Sequence, residues 1–174
     1  MPNWCMNNLT IEHEDIEKVN EFVAAYKRGE TCEHYLPTPT DENGELIDNR
    51  ESPDYWWNYR VNNWGTKWDF GGEDQFIEQR GNGVICSYDT AWAPPIGLYE
   101  RLLVLGFDVH ATYFEPGISF CGIWDNGEDN HYDGGIEDFP RRLVKEYNMD
   151  EWYEDDDEDD APFKLVGVPN HPDS

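Results

Sequence analysis

Residues 4 to 11 alternate in polarity. Cys5, Asn7, Leu9 and Ile11 fall on one side of an extended chain and Trp4, Met6 and Thr10 on the other, which predicts a strand. From Glu14-Asp15 the period lengthens. Ile16, Val19, Phe22, Val23 and Tyr26 recur at helical spacing, Lys27-Arg28 close the segment, and Gly29 stops it. Val84, Cys86, Tyr88, Thr90 and Trp92 alternate again and predict a strand over 83–92, ended by Pro94-Pro95. Ile96, Tyr99, Leu102 and Leu103 predict a short helix before Gly106. Phe107 to Phe114 and Ile118 to Trp124 read as two more strands. Glu115-Pro116-Gly117 between them suits a type II turn with Gly117 at positive φ.

The stretches between these elements are less regular. Residues 30 to 60 hold Pro37, Pro39, Asn43-Gly44 and Pro53 among polar residues, with a short helix expected over 53–60 around Tyr55, Trp56 and Tyr59. Asn63 to Asp69 is a compact aromatic block at a strand or turn. The resulting order is β-α-(long insert)-β-β-α-β-β. It predicts an α+β fold, a ferredoxin-like split βαβ sandwich. That domain spans 1–125, with the insert at about 30–60. One sheet face carries two helices, and the other is open or covered by the insert. Residues 126–174 read as an acidic C-terminal extension. A helix is expected there over 138–152, with Phe139, Leu143, Tyr147 and Trp152 on its apolar side, followed by a short strand over 163–168.

Charge changes what such a domain can do. The chain carries 38 Asp and Glu against 12 Lys and Arg, a formal net charge of −26 over 174 residues. Acidic disordered chains are poor in aromatics, whereas this one has 8 Trp, 10 Tyr and 8 Phe, so a folded core under a negative surface is expected. Phosphate backbones and anionic membranes would be repelled, which excludes direct nucleic-acid binding and membrane attachment as expected functions. No apolar stretch approaches the ~20 residues of a membrane span. The first residues show no basic segment followed by an apolar run, which points to a cytoplasmic protein. Cys5, Cys32, Cys86 and Cys121 are far apart without paired spacing and read as reduced, buried thiols.

Three blocks, Met1-Pro2-Asn3-Trp4-Cys5-Met6-Asn7-Asn8-Leu9, Asn63-Trp64-Gly65-Thr66-Lys67-Trp68 and Trp92-Ala93-Pro94-Pro95, resemble in this order the Api92-like family, whose domain is also called the YubB ferredoxin-like domain. The resemblance covers roughly residues 1 to 125. It implies a ferredoxin-like fold and an origin in phages, prophages or conjugative plasmids. It implies no catalytic residues, because the family offers none to carry over.

Four constellations are candidates for chemistry. Trp64, Lys67, Trp68 and Trp92 could form a ligand pocket of π-faces around one cation. The favoured reading is structural, with the tryptophans in the core and Lys67 a partner of a nearby carboxylate. Asp125, Asp129 and Asp133 offer oxygen ligands to calcium in a poor register, and the same stretch reads as a polar hairpin. Cys121 and His110 fall on neighbouring predicted strands, where a nucleophile and a base could meet. Asp150, Glu151, Glu154, Asp155, Asp156, Asp157, Glu158, Asp159 and Asp160 form an acidic run that reads as a solvated segment, a tether for a basic partner, or part of a surface imitating the charge of DNA. Acids also populate the insert (Glu42, Glu45, Asp48, Glu51, Asp54) and the first helix (Glu12, Glu14, Asp15, Glu17, Glu21).

No GxSxG, P-loop or HExxH motif is present, and no cofactor is expected. The expectation is a non-enzymatic protein of a phage or other mobile element. It would dock its acidic face on a basic, nucleic-acid-binding host protein in the host cytoplasm and inhibit a defence or nucleic-acid-processing complex, in the manner of an anti-CRISPR or anti-restriction protein. The alternative is a small-molecule or nucleotide-binding protein or enzyme that uses a pocket at Asn63 to Asp69.

Overall fold

A computed structural model of the protein describes residues 3–154 and 164–165. The first strand, β1 (Trp4–Glu12), buries the predicted face, Cys5, Asn7, Leu9 and Ile11. Helix α1 (Ile16–Lys27) follows, capped by the Asp15 carboxylate accepting from Glu17 N–H. It buries Val19, Phe22, Ala25 and Tyr26. The insert holds two helices, α2 (Thr31–Tyr35) and α3 (Trp56–Asn63). Strands β2 (Phe76–Arg80) and β3 (Gly83–Ala91) form a hairpin, α4 (Ile96–Val104) leads to β4 (Asp108–Glu115), and β5 (Phe120–Asp125) and β6 (Glu128–Asp133) complete the sheet.

The six strands form one antiparallel sheet in the order β2-β3-β1-β4-β5-β6. Its first four strands with α1 and α4 make the split βαβ pattern of a ferredoxin-like sandwich, and β5 and β6 widen the sheet at one edge. The main core lies between the sheet and the two helices. Leu9, Ile11, Val84, Cys86, Val109 and Trp124 meet Phe22, Tyr26, Leu98, Tyr99 and Leu102 there. Each such aliphatic or aromatic side chain stabilises the fold by about 1.5–3 kcal/mol on burial.

The opposite sheet face is covered differently from expectation. The insert lies on the helix side, where Cys32, Tyr35 and Leu36 join the main core. Part of the far face is instead covered by the segment after β6, where Phe139, Leu143, Val144, Tyr147 and Met149 pack on Phe114 and Cys121. The expected boundary at 125/126 therefore falls inside the β5–β6 hairpin, and the extension's described residues up to Tyr153 pack against the sheet. The expected helix over 138–152 is also shorter. Helix α5 spans only Arg141–Glu146, because Pro140 precedes it and Asn148 turns left-handed at φ 48°. Tyr153–Glu154 pairs with Lys164–Leu165, within the strand expected at 163–168.

Two further readings need correction. Trp92 does not continue the buried face of β3. It leaves the strand at φ 69° and is 40% exposed, its N–H donating to the Asn3 carbonyl. Gly117 does not supply the positive φ of a type II turn. The left-handed residue of this loop is Ser119, at φ 63°, just before β5, while the Glu115 carboxylate closes the loop by accepting from the N–H groups of Gly117 and Ile118. No helix among the described residues is long and apolar enough to cross a membrane.

Candidate functional site

The aromatic block at Asn63 to Asp69 follows α3 directly and is pressed against the start of α4. The two backbones approach so closely that a Cβ on Gly97 would fall 1.7 Å from the Asn63 carbonyl oxygen. Trp64 is fully buried, and its indole N–H donates to the Leu36 carbonyl at 2.7 Å. The Arg60 guanidinium lies 4.6 Å from its ring centre. Thr66 bonds both the N–H and the C=O of Ala91. Lys67 places its ammonium 3.9 Å from the Trp68 ring centre and 4.4 Å from that of Trp92, and Trp68 meets Trp4 at 5.9 Å. Trp64 therefore belongs to the core. The space between Trp68 and Trp92 is filled by the chain's own cation, and among the described residues Lys67 pairs with π-faces rather than with a carboxylate. Blocks distant in sequence, at residues 3–4, 63–68 and 91–97, meet at this junction.

Asp69, the last residue of the block, has a separate structural task. Its carboxylate accepts from the N–H groups of Cys32 at 2.7 Å and Glu33 at 2.8 Å, and so caps α2 from outside the helix. Burial raises its carboxyl above the ordinary range, against the backbone N–H groups that pull it down.

The calcium candidates are not brought together. Asp125 ends β5, and Asp129 and Asp133 lie on β6 opposite Trp124 and Phe120. At ~3.3 Å of rise per residue, Asp129 and Asp133 stand about 13 Å apart. Asp129 accepts from the Tyr113 hydroxyl and Asp133 contacts His131. Among the described residues no group of three or more His, Cys, Asp or Glu is placed to hold a metal ion. The polar-hairpin reading of this stretch is the observed one.

His110 and Cys121 do not meet. His110 stands opposite Asp125, contacting it at 2.7 Å, while Cys121 stands opposite Phe114, four residues along the same ladder. Burial pushes the Cys121 thiol up to about 12, and Cys5, Cys32 and Cys86 are raised as well, so none offers a thiolate at neutral pH.

Of the expected partner-binding acids, Asp150 and Glu151 are exposed in a 3₁₀ turn at Met149–Glu151. Glu154 has a described backbone in its two-residue strand, and Asp155, Asp156, Asp157, Glu158, Asp159 and Asp160 lie outside the described residues. Other acids are exposed on or beside regular elements. Glu12, Glu14, Asp15, Glu17 and Glu21 at the β1–α1 end are exposed, as are Glu128, Asp129 and Asp133 on edge strand β6. The arginine ion pairs among the described residues are Arg28–Glu30, Arg60–Glu33 and Arg80–Glu78, none of which involves these acids.

Sequence reasoning missed one carboxylate. Glu146, on α5, reaches across to the partly open sheet face, where its Oε1 accepts from the Asn8 amide at 3.0 Å and from the Thr112 hydroxyl at 2.8 Å. Nothing in its local sequence, Val144-Lys145-Glu146-Tyr147, sets it apart from a solvated helix acid.

No family model matches the chain, and no curated protein matches it. Among solved structures, the chain is similar to the crystal structure of protein api92 from Yersinia pseudotuberculosis, a DUF1281 protein, with 11% identity, 78% of this chain and 99% of that chain covered, and a TM-score of 0.46.

Proposed function

We propose that the protein is an acidic docking protein of a phage or related mobile element. In the host cytoplasm it binds a basic, nucleic-acid-binding protein by presenting carboxylates where that protein expects phosphates, and thereby inhibits a host defence or nucleic-acid-processing complex. The observation that carries this reading is the placement of exposed acids on α1, β1 and edge strand β6, with arginine ion pairs confined to Glu30, Glu33 and Glu78 among the described residues. Fixed like charges repel one another and lower stability, so a folded protein that leaves these acids without an arginine partner, with only Glu21 and Asp133 meeting a histidine (His34 and His131) among the described residues, bears a cost that docking on a cationic surface would offset. The resemblance of the N-terminal motifs to proteins of mobile elements agrees with this reading.

The test is affinity capture from bacterial host lysate at low and high salt, with and without duplex DNA as competitor. A nucleic-acid-binding protein retained at low salt, released by salt and displaced by DNA supports the reading. Capture that is indifferent to both salt and DNA overturns it.

A further inference from the structure

The far face of the sheet is only partly covered, and a groove of about 390 Å³ lies open between α5 and the β2–β3 hairpin. Pairing register explains its floor. Ser87 and Asn8 form it, in a row that runs across four strands from Phe76 at one edge to Thr112 beyond the groove, all facing away from α1 and α4. One wall is Phe76, 54% exposed although it is aromatic, and the other is Tyr147. Three carboxylates line the groove, Asp74, Asp89 and Glu146, and no Lys, Arg or His does.

Glu146 is held in place. Ser87 donates to Asn8 Oδ1 at 2.6 Å, and Asn8 in turn donates to Glu146 Oε1, which also accepts from Thr112. Both donors to the carboxylate are neutral and both bind the same oxygen. Its Oε2 accepts no hydrogen bond among the described residues. An acid on a mobile surface side chain would have to be ordered on binding, whereas this one is ordered already.

We propose that this groove receives an arginine side chain of the basic partner. The inference rests on the reading of the protein as an acidic docking protein and says where its docking is selective. A guanidinium is planar, stacks on an aromatic face such as that of the exposed Phe76, and presents paired N–H donors to a carboxylate. A lysine ammonium is compact and strongly hydrated, and it gains less from the aromatic walls. Three carboxylates repel an anionic ligand.

The experiment is an NMR titration of the isotope-labelled full chain with capped hexa-arginine and hexa-lysine peptides at low salt. Hexa-arginine is expected to shift the side-chain amides of Asn8 and Asn148 saturably and to bind several-fold tighter than hexa-lysine. Glu146→Gln keeps an oxygen that can accept from Asn8 and Thr112, and it should weaken hexa-arginine binding on the order of tenfold. Phe76→Ala, whose side chain makes no bond in that hydrogen-bond chain, should weaken it several-fold and stands in should Glu146→Gln fail to fold. Glu45→Gln, an exposed acid of the insert, should leave binding unchanged. Hexa-arginine binding that leaves Asn8 unmoved and is indifferent to Glu146→Gln and Phe76→Ala overturns the groove but not the acidic docking surface. Equal affinity for both peptides with the same shifts overturns the selectivity for arginine. Failure of both peptides to bind at low salt overturns the groove and counts against the docking reading as well.

Discussion

The Lys67 ammonium lies 4.4 Å from the centre of the Trp92 ring, and Trp92 holds that ring in place with its backbone at φ 69°. A bulky L-residue pays about 1–2 kcal/mol for a left-handed conformation. Cation–π contact and the bond from Trp92 N–H to the Asn3 carbonyl offset that cost. Lys67→Met keeps most of the stem and removes the charge. It should lower stability by about 1 kcal/mol and change tryptophan fluorescence, as read by urea unfolding. Unchanged stability would mean that the ammonium merely rests on the ring.

Tyr88 on β3 and Tyr99 on α4 share a short hydrogen bond in the main core, with both rings buried. Tyr99→Phe strands the Tyr88 hydroxyl and should cost about 1–3 kcal/mol. Adding Tyr88→Phe removes the orphaned group and should recover part of that loss. A double-mutant cycle by chemical denaturation measures the coupling, and strict additivity would show that the bond contributes nothing.

Asp69→Ala removes the external cap of α2. Two helix N–H groups, those of Cys32 and Glu33, lose their acceptor, and the loss should be about 2 kcal/mol or more. Hydrogen exchange at Cys32 and Glu33 should accelerate well beyond that of the sheet amides. Uniform acceleration would instead indicate global destabilisation.

Acid should stabilise this protein over a defined range. Burial raises the carboxyl of Asp69 above its ordinary 3.8 and that of Glu115 above 4.5, so the folded state takes up protons there before the unfolded chain does. Their contribution is complete below the unfolded values and is lost as pH rises through the raised ones. Relief of the self-repulsion of a −26 chain acts in the same direction. Asp108 opposes them, because its hydrogen bonds to Asn126 and His110 lower its value, and its contribution is lost only as pH falls through that lowered value. Tm should therefore rise as pH falls from neutral toward about 4.5, and the Asp69→Asn/Glu115→Gln double variant should show a shallower rise by calorimetry. An equal rise in both would assign the effect to surface charge alone.

Legibility followed burial. β1, β3, α1 and α4 each hide one face from water, so Leu9 and Ile11, Val84 and Cys86, or Phe22 and Tyr26 mark their period in the sequence. The two edge strands left no such mark. β2, Phe76 to Arg80, has only Ile77 packed on the core, and β6, Glu128 to Asp133, is exposed along nearly all its length. Their order comes from backbone pairing to β3 and β5, which is indifferent to side-chain polarity.

The sequence by itself determined the sandwich, the inward faces of its central strands and helices, and a heavy excess of negative charge. These depend on hydrophobic period and composition, which are local or additive. Only the tertiary structure decided that the segment after β6 covers the far face, that Lys67 fills the space between Trp68 and Trp92, that Asp69 caps a helix beginning 38 residues earlier at Thr31, and that Glu146 is fixed over the sheet by Asn8 and Thr112. Each of these joins groups far apart along the chain, and the energy of such a contact depends on distance in space, which no local pattern of residues records.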